Sequence, residues 1–165
     1  MLIGCVEVKV AKYELSLGLF VTNPKRVKTL FKKIVGDKNV VIYGGITTGK
    51  QDLAQALSSA LIEWESGKEP MLKFQQVGEA SLHVTLLDAH YFTPQQIAKF
   101  LELVRSHNKR FILTFLNESQ MLKYIHMIEK YDFIEIDTGD KLISQIERVG
   151  WFKSLIKPPF VAISK

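Results

Sequence analysis

The sequence predicts an α/β domain of three layers: a mostly parallel sheet flanked by helices, with a β-hairpin and a helix added at its amino end. Three observations carry this expectation. From residue 39 onward, short runs rich in Val, Ile, Leu and Phe alternate with segments whose apolar residues recur at helical spacing. That is the rhythm of strand–helix–strand units joined by right-handed crossovers. A glycine-rich turn stands between the first such run and the helix after it. The length, 165 residues, suits one domain, able to hide roughly two-thirds of its unfolded surface.

Taken in order, residues 2–10 and 13–21 are rich in Val, Leu, Ile and Tyr and partly alternate, which predicts two strands of a hairpin turning near Ala11 and Lys12. Asn23 then caps a helix with Pro24 in its first turn. Val27, Leu30, Phe31, Ile34 and Val35 form one apolar stripe on it, and Gly36 ends it. NVVIY (39–43) predicts a strand. Residues 50–66 predict a helix with Leu53, Ala56, Leu57, Ala60, Leu61 and Trp64 on one face. PMLKF (70–74) and LHVTLLD (82–88) predict strands. Pro94 to His107 reads as a helix, RFILTFL (110–116) as a strand, Ser119 to Lys130 as a helix and DFIEID (132–137) as a strand. A helix over about 141–149 and a last strand, FVAIS (160–164), complete the series. Residues 1–165 read as a single domain, with 1–38 as a hairpin-and-helix appendage and 39–165 as the core.

Composition bounds the function. Hydrophobic residues make up 47% and charged residues 24%, ordinary for a globular protein. No apolar run approaches the roughly 20 residues of a membrane span, so no membrane partner is expected. The opening MLIGCVEVKV lacks a basic segment and a cleavage site, so no signal peptide is expected and a cytoplasmic location is. Cys5 is the single cysteine, which excludes an internal disulfide and any zinc site built on several cysteines. The net charge is +5, compatible with polyanion binding. The excess is local: Lys25, Arg26, Lys28, Lys32, Lys33 and Lys38 lie near one acid, Asp37.

The segment YGGITTGKQD (43–52) carries the chemistry. Strand, glycine-rich turn and helix is the context of a phosphate-binding loop, and Gly44, four residues, Gly49 and Lys50 have its spacing. Glycines allow positive φ, so successive amides can point into one cavity. The helix start adds free donors and partial positive charge. Gly44, Gly45, Ile46, Thr47, Thr48, Gly49, Lys50 and Gln51 are therefore the expected phosphate-binding residues, with Lys50 on the terminal phosphates of ATP or another nucleoside triphosphate. An ordinary strand-to-helix turn is the plain alternative. Gln51 departs from the pattern, since Ser or Thr there gives its hydroxyl to Mg²⁺. The run LHVTLLD ends in Asp88, placed as the aspartate that holds the metal in nucleotide-hydrolysing folds.

Beyond Asp88 the text DAHYFTPQQIAKFLELVRSHNKRFILTFLNES resembles the type II thymidine kinases, a phosphate-loop family with a RecA-like core. In that family the strand ends D-E-A-Q-F, followed by a helix and an apolar strand. Asp88 matches its first residue and Phe92 its last. Residues 61–74 and 121–136 are similar to the family's flanking passages, so the resemblance spans about 39–137. It implies phosphate binding at Gly44, Gly49 and Lys50, and Mg²⁺ binding at Asp88. Three departures fall on catalysis and substrate capture. The family's base, Glu, is here Ala89, which accepts no proton. Gln51 replaces the metal-binding hydroxyl, and the family's zinc cysteines are missing. The resemblance therefore implies a thymidine-kinase-like build without thymidine kinase activity.

His90 and Glu79 are the substitute catalytic candidates, His90 because an imidazole beside a metal aspartate can act as base. Packing or capping is the plain role for each. Asn117 and Glu118 follow the next strand, at the edge where parallel sheets bind ligands. They suit turn chemistry, or the orientation of a water on a terminal phosphate. The helix after Pro24 reads plainly as a core-docked helix with a solvated lysine face. Its sharper reading is a nucleic-acid contact through Lys25, Arg26, Lys28, Lys32 and Lys33. Three functional readings remain: a nucleotide-binding protein of thymidine-kinase-like build, a RecA-like ATPase acting on nucleic acid or within an assembly (a homo-oligomer included), or a degenerate scaffold.

Overall fold

The computed structural model describes residues 11–14, 24–45, 48–139 and 163–164. Its strands are β1 (Ala11–Glu14), β2 (Asn39–Tyr43), β3 (Ala60–Glu63), β4 (His83–Leu87), β5 (Arg110–Phe115), β6 (Phe133–Asp137) and β7 (Ile163–Ser164). Its helices are α1 (Pro24–Val35), α2 (Lys50–Leu57), α3 (Pro70–Lys73), α4 (Gln76–Glu79), α5 (Pro94–Ser106), α6 (Glu118–Leu122) and α7 (Ile125–Ile128). One sheet runs in the order β3-β4-β5-β2-β6-β1-β7. The first six strands are mutually parallel, and β7 adds antiparallel to β1. Among the described residues no helix is long and apolar enough to cross a membrane.

Two apolar layers cover the sheet, and strand alternation sorts the residues between them. Val40 and Ile42 of β2 pack with Val27, Phe31 and Val35 of α1 and Leu53 and Ala54 of α2. Val41 and Tyr43 face the other layer, with Ile97, Phe100, Leu101 and Val104 of α5, Met121 of α6 and Ile128 of α7. The sorting follows from topology. The chain moves from β1 through β2 to β3 in one direction and from β3 back to β6 in the other. Right-handed crossovers put connections that run in opposite directions on opposite faces. Coverage on both sides explains why β4 and all but one residue of β5 are buried throughout.

Several elements differ from expectation. The helix expected over 50–66 ends at Leu57, where Ser58 turns extended and its hydroxyl donates to the Ala54 carbonyl. ALIE (60–63) then becomes an edge strand on β4. Its apolar spacing fits both periods, and the open ladder of β4 decides. Trp64, expected on a buried helix face, is 44% exposed and stacks on Tyr91. PMLK (70–73) is a helix rather than a strand: Pro70 sits at its first position and the Glu69 carboxylate accepts from the Met71 amide. The helix expected over 119–130 is two short ones, bent so that Tyr124 stacks on Phe115. The turn expected at Ala11 and Lys12 is strand, held in parallel register against β6. The remaining residues of the expected hairpin, and the helix expected over 141–149, lie outside the described residues. So does most of the expected strand 160–164, of which Ile163 and Ser164 pair with β1.

Candidate functional site

The connection leaving β2 goes to the face of α1 and α2, and the one leaving neighbouring β5 goes to the opposite face. Their carboxyl ends therefore part into a crevice, the place where open α/β sheets bind ligands. A cavity of about 290 Å³ occupies it, lined by Tyr43, Gly44, Leu116, Asn117, Glu118, Ser119, Asp137 and Gly139.

Of the glycine-rich loop, Gly44 lines this cavity, while Lys50 and Asp88 lie outside its lining. The Gly44 amide donates to the Phe115 carbonyl at 3.2 Å and the Gly45 amide to the Gly139 carbonyl at 2.8 Å. A Cβ on Gly44 would stand 1.9 Å from Thr138 Oγ1, so only glycine fits there. Thr48 Oγ1 donates to the Gly45 carbonyl at 2.7 Å and lies 2.7 Å from Thr138 Oγ1. Gly49 takes φ +80°, the left-handed conformation that starts α2. Leu53 is the first helix amide to bond back, to the Gly49 carbonyl. The amides of Lys50, Gln51 and Asp52 thus precede the helical ladder. Of the expected phosphate-binding residues, Ile46 and Thr47 lie outside the described residues. Gln51 is described and exposed.

Lys50 is only 5% exposed. Its Nζ donates to the Phe115 carbonyl at 3.0 Å and lies 3.5 Å from Asp88 Oδ1. Strand β5 sits between β2 and β4, so Lys50 reaches over the end of one strand to the aspartate on the next. Burial pushes its pKa down, partly offset by the Asp88 charge. Asp88 itself is held at φ +49°, a conformation rare outside glycine. Its amide donates to the fully buried Thr114 hydroxyl at 2.7 Å and its carbonyl accepts from the Tyr91 amide. The chain therefore turns sharply at the strand's end and leaves the carboxylate open beside Lys50.

The other expected site residues separate. Ala89 is fully buried in the apolar layer with Phe92. A carboxylate at that position would face the core, which adds a geometric reason to its chemical one for excluding a base there. His90 follows at once, its Nδ1 buried without a partner among the described residues. Burial holds it below the usual imidazole range. Glu79 is exposed on α4 and precedes β4, and its neighbour Gly78 lies against the His107 ring. It is thus at the amino edge of the sheet, opposite to Asp88, and does not join the site. Asn117 Oδ1 accepts from the Gln120 amide at 2.8 Å as the cap of α6, the turn chemistry expected of it. Glu118 lines the cavity and lies 3.8 Å from Lys12 Nζ.

Sequence reading missed two parts of this region. Thr138 and Gly139 clamp the glycine loop from β6, a contact between segments some ninety residues apart that no local pattern announces. Lys12 and Glu135 are paired across β1 and β6 and each is 7% exposed. The Tyr43 hydroxyl donates to Glu135 Oε2 at 3.2 Å. Burial and the nearby carboxylates push the Tyr43 pKa up. Among the described residues no group of three or more His, Cys, Asp or Glu is arranged to hold a metal ion. In comparisons with known proteins, no family model and no curated protein matches the chain.

Proposed function

We propose that the chain binds a nucleoside triphosphate through residues 44–51 and has a thymidine-kinase-like build without thymidine kinase activity. The observation that carries this reading is Lys50: a buried ammonium at the carboxyl edge of the sheet, beside Asp88 and at the start of α2. Phosphates would meet the Lys50 charge together with the leading amides of α2. Mg²⁺ would come with the nucleotide, and Asp88 is the one described carboxylate beside Lys50. That suits an ion that takes most of its shell from phosphate and water. Ala89 leaves the aspartate without a neighbouring base, so phosphoryl transfer to thymidine is expected to be undetectable.

Calorimetric titration with ATP, GTP, dTTP and thymidine, with and without Mg²⁺, tests the reading. Lys50→Ala is expected to weaken triphosphate binding tenfold or more, from loss of a charged contact of about 1.5–3 kcal/mol. Equal affinity in the variant, or no binding by the unmodified chain, would overturn it. A RecA-like ATPase is the second reading, favoured by Glu118 and Asn117 at the rim of the same crevice. Phosphate release from ATP at a rate that Glu118→Gln abolishes would select it.

A further inference from the structure

We propose that the outward face of α1 binds the phosphodiester backbone of duplex nucleic acid. This inference does not depend on the nucleotide reading. The helix is docked by Val27, Phe31 and Val35, each at most 2% exposed. Lys25, Arg26, Thr29, Lys32 and Lys33 are exposed. At 100° per residue they span the arc directly opposite the buried stripe. Lys25 and Lys32 share one column, and Arg26 and Lys33 the next, with about 10.5 Å between the two members of each. The patch therefore presents four cations in two rows. None of the four forms an ion pair with a described residue.

Helix stability explains only half of the arrangement, since Lys32 and Lys33 stand in the last turn, where the macrodipole favours cations. The first turn of α1 holds no acid, and it carries Lys25 and Arg26 where the macrodipole is positive. Cations there cost about 0.3–1 kcal/mol each at low ionic strength. An anion laid across that turn relieves both the repulsion and the unpaired charge. A membrane surface fits less well. An interfacial helix must put its apolar face into the lipid, and that face of α1 is already spent on the sheet. Duplex nucleic acid offers the densest fixed charge, one per about 1.7 Å of axis, and needs only the cations this face provides.

The test is fluorescence anisotropy of a labelled 20-base-pair duplex with the full chain, repeated across salt concentrations. Binding is expected at about 50 mM salt, with log K falling against log salt at a slope of about −3.6 for four phosphate contacts. Lys32→Gln alone should reduce the slope by about 0.9. Lys25→Gln, Arg26→Gln, Lys32→Gln and Lys33→Gln together should bring it close to zero. The melting temperature should change little, since two of these cations oppose the dipole and two favour it. Lys99→Gln, an exposed cation on α5 across the sheet from α1, should leave affinity and slope almost unchanged. If the fourfold variant fails to fold, the single Lys32→Gln slope decides. No binding by the unmodified chain, or an unchanged slope in a folded variant, would overturn the proposal. So would tighter binding to a single strand, to phosphatidylserine vesicles or to polyglutamate than to the duplex.

Discussion

Lys12 and Lys50 are buried to nearly the same degree, at 7% and 5% exposure, and each lies near a carboxylate. Their surroundings differ. Lys12 stands on β1 opposite Glu135, itself 7% exposed, with its Nζ 5.5 Å over the Tyr43 ring and 3.8 Å from Glu118. Lys50 stands at the end of the sheet, and the side chain of its partner Asp88 is 38% exposed. One lysine lies within the sheet, over a tyrosine ring and opposite a strand neighbour. The other brings charge to an edge that a ligand can reach. The ion-paired carboxylates are equally open, Glu118 at 39% and Asp88 at 38%, so position separates the two lysines: one faces a buried strand neighbour and the other the end of the sheet.

The largest expected effect separates the two by stability. Lys12→Met keeps the stem's bulk but removes the cation that lies over the Tyr43 ring and pairs with Glu118, and should cost about 1–3 kcal/mol. Lys50→Met should cost under about 1 kcal/mol, because Asp88 stays hydrated as an exposed partner does. Urea unfolding of both variants measures the difference. Equal losses would mean that Lys50 is as structural as Lys12.

A smaller effect concerns desolvation without a carboxylate partner. His83 is 6% exposed and its Nε2 donates to the Lys38 carbonyl at 2.8 Å. Burial holds its pKa below the usual value. The unfolded chain therefore takes up the proton first. Stability should be fully present above about pH 6.5. It should fall by up to about 1.4 kcal/mol per pH unit as the pH drops toward the folded value. Unfolding curves between pH 7.5 and 5, compared with His83→Gln, would show this as a steeper slope than the variant's, which keeps the share of His90. A variant with the same slope would remove the claim.

The smallest effect tests the metal side of the Lys50 region. Gln51 is exposed and offers no hydroxyl, so nucleotide affinity should depend weakly on Mg²⁺. Gln51→Thr should increase that dependence a few-fold, by restoring a short oxygen ligand near Asp88. Titration of ATP in EDTA and in excess Mg²⁺ compares the two forms. Strong Mg²⁺ dependence in the unmodified chain would show that another oxygen completes the shell, and would favour hydrolysis.

Local chemistry was enough for much of the molecule. The strands at 39–43, 83–87 and 110–115 carry mostly apolar runs that suit a sheet covered on both faces, while FIEID at 133–137 alternates apolar and acidic residues. Helix α5 has Pro94 at its start, and Thr93 and Gln96 form a complete capping box around it. Gly44, Gly49, Lys50 and Asp88 were legible as a constellation because their spacing and their strand-to-helix context lie within short windows. The basic face of α1 was legible for the same reason. Tertiary structure decided most of the rest. ALIE became a strand because β4 offered an open ladder, whereas PMLK is a helix for a local reason, Glu69 and Pro70 starting one. Glu79 left the site and Asp88 entered it, because a parallel sheet sends the residue before a strand and the residue after it to opposite edges. Lys12, Glu135, Thr138 and Gly139 gained their roles only when β6 came to lie between β2 and β1. Such pairings join segments many residues apart, and no periodicity within either segment encodes which partner it will meet.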